Sequence, residues 1–183
     1  MTLPQSAIVT VGAGASSLVD DLLEAGRSVI AVDLSAAALS ILEDRIGPCD
    51  RLRLLRADAR SVVLDCPVDA WHDRALFHFL TDPTDQRSYA TAAAATLKPG
   101  GHLVIATFGP NGPSQCSGLP VQRHDAESLA AVFGPSFELR QSFEVDHLTP
   151  WGSTQQFTQA VFSRSWLSES CPSARSGPSS PTL

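Results

Sequence analysis

The chain has 183 residues, with 13 Lys plus Arg against 19 Asp plus Glu and a formal charge of -6. That length suits one domain around a single core, and basic residues scattered through an acidic chain argue against a nucleic-acid partner. No apolar run nears the roughly 20 residues of a membrane span, and the N-terminus has no basic region followed by a long apolar stretch. The expectation is a cytoplasmic protein without a membrane partner.

A short β-branched strand over residues 7–11 runs into the turn Gly12-Ala13-Gly14, and Leu18, Val19, Leu22 and Leu23 recur at helical spacing until Gly26. A second β-branched strand over residues 28–32 delivers Asp33, about 20 residues past the glycine turn, as in nucleotide-binding βαβ units. Glycine without Cβ lets the chain turn tightly and a ligand lie against its backbone at the start of the next helix. A carboxylate at the end of the neighbouring strand offers two oxygens to the two vicinal hydroxyls of a ribose.

Ser35 is placed to cap a helix over residues 36–45, which Gly47-Pro48 ends. A third strand over residues 51–56 leads to Asp58 and Ala59, and a fourth over residues 67–71 opens into a polar and aromatic segment, His72 to Leu80. Pro83 suits the first turn of an alanine-rich helix that reaches Thr96, and Lys98-Pro99-Gly100-Gly101 breaks it before a fifth strand over residues 102–107. Residues 108–123 hold too much Gly and Pro for regular structure and read as a long loop of the kind that carries function. A helix from Asp125 to Phe133 follows, then two long strands over residues 137–146 and 155–164. From Ser165 the chain is rich in Ser and Pro, which predicts a disordered tail over 165–183 behind a domain of residues 1–164. Cys49, Cys66, Cys116 and Cys171 form no C-x-x-C pair, so no metal site is expected.

The glycine turn with Asp33, the pair Asp58-Ala59, and Leu97-Lys98-Pro99-Gly100-Gly101 entering a strand together resemble the class I S-adenosyl-L-methionine-dependent methyltransferases. The segment Trp71 to Leu80, with residues 116–121, is similar to a bacterial subgroup known only as methyltransferase-like. The resemblance implies an α/β, doubly wound, Rossmann-like sheet of seven strands in the order 3-2-1-4-5-7-6 with strand 7 antiparallel. It implies S-adenosyl-L-methionine as cofactor, with Gly12, Ala13 and Gly14 facing its amino-acid part, Asp33 its ribose, Asp58 and Ala59 its adenine, and Trp71 and His72 beside the methyl donor. Thr10 and Ser16 depart from the family pattern, which often has an acid and a third glycine there. Members of the family usually carry helices before the first strand; only residues 1–6 precede it here, and the expectation is a late start or an unusually open site.

A small-molecule acceptor is expected between residues 72–80 and 108–121. His72 is the candidate base, oriented by Asp73, where an acceptor must lose a proton. Arg74 could grip an anionic acceptor in two-point fashion, and His78 and Cys116 are the remaining candidates for acceptor contact. Each also has a plainer reading: a surface ion pair for Arg74, core packing for His78, a small half-buried thiol for Cys116. Two rival functions stand beside the enzyme: a methyltransferase-like module that binds without catalysis, and a dehydrogenase-like domain that takes NAD(P).

Overall fold

The β-branched runs between glycine turns become the inner strands of one sheet because both of their faces are buried. A computed structural model describes residues 7–14 and 16–166. In chain order the elements are β1 (Ala7–Val11), α1 (Leu18–Glu24), β2 (Ser28–Asp33), α2 (Ala36–Ile46), β3 (Leu52–Arg56) and β4 (Val68–Arg74). A single 3-10 turn (Phe77–Phe79) leads to α3 (Pro83–Thr96) and β5 (Leu97–Phe108). The small hairpin β6 (Gln115–Cys116) and β7 (Leu119–Pro120) precedes α4 (Ala126–Phe133), β8 (Phe137–Leu148) and β9 (Thr154–Arg164).

The seven-stranded sheet has the order β3-β2-β1-β4-β5-β9-β8. β1 to β5 pair in parallel, whereas β9 runs antiparallel to both β5 and β8. This is the expected doubly wound order, with β8 and β9 as the terminal strand pair. The helices start where local chemistry predicts. The Ser35 and Asp82 side chains accept from the N–H groups of Ala38 and Thr84, and Asp125 forms a reciprocal cap with Ser128.

Helices cover both faces. Val19, Leu23, Leu39 and Leu42 from α1 and α2 pack with Val29 and Ala31 on one side. Tyr89 of α3 and Leu129 and Phe133 of α4 pack with Trp71, Phe77, Leu103 and Ile105 on the other. Each of these fully buried aromatic or branched side chains contributes roughly 1.5–3 kcal/mol.

Three boundaries differ from the sequence reading, each for a physical reason. β4 continues through His72, Asp73 and Arg74, because these residues pair with β1 and β5 at a register that keeps the ladder closed. The helix-breaking Lys98-Pro99-Gly100-Gly101 lies inside β5 as a bulge: Val68 pairs with Leu97, but Ala70 pairs with His102. A Cβ on Gly101 would stand 2.9 Å from the Lys98 carbonyl oxygen and 3.0 Å from that of Asp69, so only glycine permits this crossing. The loop of residues 108–123 contains the short β6–β7 hairpin. Residues 167–183, most of the expected tail, lie outside the described residues. Ser165 donates its N–H to the Ser136 carbonyl. No helix among the described residues is long and apolar enough to cross a membrane.

Candidate active site

The carboxyl ends of β1, β2 and β4 converge on the turn after β1. Gly12 has a φ of 58°, and a Cβ there would meet Leu76 Cδ1 at 2.8 Å. Gly14 is also left-handed, at 51°. The Gly14 N–H donates to Asp33 Oδ2 at 2.8 Å, and the Ser35 N–H donates to Asp33 Oδ1 at 2.8 Å. Asp33 therefore fixes the glycine turn to the start of α2. A carboxylate accepts about four hydrogen bonds, so lone pairs remain on both oxygens for a ligand.

Two cavities adjoin this turn, and Gly12 lines both. The first, of about 360 Å³, has a floor of Val32, Ala57, Ala59, Leu76 and Phe79 and a rim bearing Asp33, Asp58 and Asp85. Such an apolar slot with a few carboxylates matches the general form of a nucleoside site. Asp58 reaches this rim, but Arg60 grips it. Arg60 Nη2 donates to Asp58 Oδ2 at 2.6 Å, Nε donates to Asp58 Oδ1 at 3.1 Å, and Nη1 lies 2.8 Å from Asp85 Oδ2. The hydrogen bonds from Arg60 hold the Asp58 carboxyl below the usual carboxylate range. Arg60 went unread in the sequence, although its place two residues after Asp58 was a usable signal.

The second cavity, of about 300 Å³, runs from the glycine turn across the ends of β4 and β5 to β8 and β9. His72, Arg74 and Cys116 line it, together with His147, Gln155 and Phe157. Those last three were invisible in the sequence, since only the β5–β9 and β8–β9 pairings bring them to β4. Desolvation, then the Arg74 charge, keeps the His72 imidazole below its ordinary pKa, and its buried Nδ1 has no hydrogen-bond partner among the described residues.

Four expected site residues have other surroundings. Strand alternation puts Trp71 and Asp73 on the face opposite His72 and Arg74. Trp71 is fully buried, with its Nε1 donating to the Tyr89 hydroxyl at 2.8 Å, so its ring lies in the core and lines neither cavity. Asp73, also fully buried, accepts from Tyr89 and from the Leu76 N–H; it does not orient His72. His78 is enclosed between the rings of Phe79 and Phe108, at centroid distances of 4.6 and 4.5 Å, and lines neither cavity. Gly14 lines neither cavity; its contribution is the hydrogen bond to Asp33. Among the described residues no cluster of His, Cys, Asp or Glu could hold a metal ion.

Residues 8–101 match the methyltransferase-domain family. A malonyl-(acyl-carrier protein) O-methyltransferase of Halalkalibacterium halodurans is 26% identical over 154 residues, which span 81% of this chain and 53% of that protein. A probable ribosomal RNA small subunit methyltransferase A of Methanosarcina mazei is 34% identical over 59 residues, or 32% of this chain and 22% of that protein. The chain thus spans about half the length, or less, of these curated relatives. Among solved structures, the Burkholderia thailandensis 1,6-didemethyltoxoflavin-N1-methyltransferase with bound 1,6-didemethyltoxoflavin and S-adenosylhomocysteine superposes with a TM-score of 0.72 at 21% identity, covering 87% of this chain and 71% of that one.

Proposed function

The chain belongs to the class I S-adenosylmethionine-dependent methyltransferases, and on that premise we propose that it transfers a methyl group to a small-molecule acceptor bound against β4, β8 and β9. The observation that carries the proposal is the glycine turn shared by two adjoining cavities: Gly12 borders an apolar, acid-rimmed slot on one side and a cavity lined by His72 and Arg74 on the other.

The residues fit the cofactor. Gly12 borders the slot at a left-handed position where a Cβ would strike Leu76, Asp33 is pre-oriented by two backbone N–H groups, and the slot pairs an apolar floor with carboxylates able to take hydroxyl and amino donors. Asp33 would hold the ribose, Ala59 and Leu76 would pack on the base, and Gly12 and Ala13 would border the amino-acid end. Arg60, which holds Asp58 in place, would steady it toward the adenine edge. When bound, S-adenosylmethionine supplies a methyl group already activated on a sulfonium, so the protein's task is alignment and exclusion of water. Where the acceptor sheds a proton, the neutral His72 imidazole is available to take it, without help from Asp73.

A cavity of about 300 Å³ falls in the range of small-ligand sites, and a formal charge of -6 disfavours RNA as acceptor. Calorimetry with S-adenosylmethionine, S-adenosylhomocysteine and NAD is the test. Micromolar binding of the first two alone supports the reading; preference for NAD sinks it. Cofactor binding with no turnover on any acceptor, RNA included, would favour a binding module.

A further inference from the structure

Resting on the methyltransferase reading, we propose that the cavity beside β4, β8 and β9 recognises an anion, and that the acceptor is a small planar carboxylate held by Arg74. The protein carries a formal charge of -6, yet this cavity has no carboxylate in its lining. Its ionisable groups are Arg74, His72, His147 and the Cys116 thiol. In an acidic protein, a pocket that holds a guanidinium and no acid in its lining is an electrostatic exception, and such local fields select the charge of a ligand.

Arg74 is free to act on that ligand. Among the described residues its side chain has no ion pair and no side-chain hydrogen bond. The acid that would be expected to neutralise it is its neighbour Asp73, but strand alternation turns Asp73 into the core, where Tyr89 holds it. The next acid, Asp146, lies outside this cavity's lining; it lines a neighbouring cavity that Arg74 also borders, but among the described residues it forms no ion pair with Arg74. A guanidinium meets a carboxylate through two parallel N–H···O bonds, a geometry that neutral acceptors do not reproduce. The body of the ligand would lie against Phe108 and Phe157, whose rings stand edge to face with centroids 4.9 Å apart. That wall suits a flat apolar group.

A carboxylate also occurs on the amino-acid end of the cofactor, so the test must separate the two sources. The cavity has two ends, and Arg74 stands between them, on β4 beside β1. The cofactor's amino-acid end belongs by the glycine turn after β1, whereas His147, Gln155 and Phe157 come from β8 and β9, beyond β4 and β5. Benzoate is the probe, with benzamide as its neutral match, titrated at low salt into the full chain with and without saturating S-adenosylhomocysteine. Benzoate should bind about tenfold more tightly than benzamide, and Arg74→Gln should abolish that preference. The variant should still bind S-adenosylhomocysteine with less than about a twofold change in affinity, which also certifies its fold. Equal binding of benzoate and benzamide, or no binding of either, overturns the proposal. Loss of S-adenosylhomocysteine affinity in Arg74→Gln with the fold intact by circular dichroism reassigns the guanidinium to the cofactor and overturns it too. If the unmodified chain binds benzoate but no S-adenosylhomocysteine, the methyltransferase reading fails and the assignment to a methyl acceptor falls with it.

Discussion

The Tyr89 hydroxyl donates a 2.6 Å hydrogen bond to Oδ2 of Asp73, and both side chains are fully buried. Oδ1 of the same carboxyl accepts from the Leu76 N–H at 2.9 Å. Between them Ala75 is held at a φ of 66°, a conformation that costs a residue with a Cβ roughly 1–3 kcal/mol. Asp73 thus binds α3 to the turn after β4, and that turn presses Leu76 against Gly12. Tyr89→Phe leaves the Trp71 N–H and one Asp73 oxygen unpartnered and should cost about 2–3 kcal/mol in urea unfolding. It should also weaken S-adenosylhomocysteine binding, because the Leu76 side of the slot loosens; an unchanged affinity would mean that the turn keeps its shape without the network.

Stability should fall as the solution is acidified from neutrality, and the sign follows from the buried histidines. His78 is pushed down to about 4, by burial first and His124 second, and burial lowers His124 as well. Groups with depressed folded values give stability that is complete above their unfolded value of 6.5 and is lost as pH falls through the folded one. Asp73 works the other way. Burial pushes it up to about 6 from 3.8, so its contribution is complete below 3.8 and is lost as pH rises through 6. Three depressed histidines, His72 among them, outweigh one raised carboxyl in the window just below 6.5. Urea midpoints should therefore rise with pH over that window, and His78→Leu should flatten the rise. A slope that stays unchanged in the variant would remove His78 as its source.

The succession of strands and helices and the glycine turn with Asp33 were legible because they are local, whereas the order of strands in the sheet came from the family resemblance. Glycine spacing, β-branched runs and helix caps each act within a few residues. What could not be read was which face each residue of β4 takes. The strand was expected to end at Trp71, which left His72, Asp73 and His78 together in one polar loop. Extending it by three residues imposes alternation: His72 and Arg74 face the cavity, while Trp71 and Asp73 enter the core. His147, Gln155 and Phe157 were illegible for a different reason. They join the cavity only through the β9 pairing, some 50 residues distant along the chain from β5. Nothing in their immediate neighbourhood marks them.

Trp71→Phe tests the separation of core from site. The variant keeps an aromatic ring in the core but removes the donor to Tyr89. A loss of about 1–2 kcal/mol in stability is expected, with cofactor affinity and turnover near those of the unmodified chain. If turnover instead collapses while the protein stays folded, Trp71 touches the reacting groups after all.

Asp33 carries two duties, and two substitutions divide them. Asp33→Ala removes the acceptor for both the Gly14 and Ser35 N–H groups as well as any contact with a ribose. It should therefore lower both stability, by about 1–2 kcal/mol, and S-adenosylhomocysteine affinity, by more than about tenfold. Asp33→Asn keeps one carbonyl oxygen and can hold one of the two N–H groups, so most of the stability should return. Affinity should not return with it, since the amide supplies one acceptor where two hydroxyls need two. Calorimetry beside thermal unfolding distinguishes the outcomes. Recovery of both quantities in Asp33→Asn would mean that Asp33 serves only the turn, and the nucleoside assignment of the acid-rimmed slot would then have to rest on Asp58 and its Arg60 clamp alone.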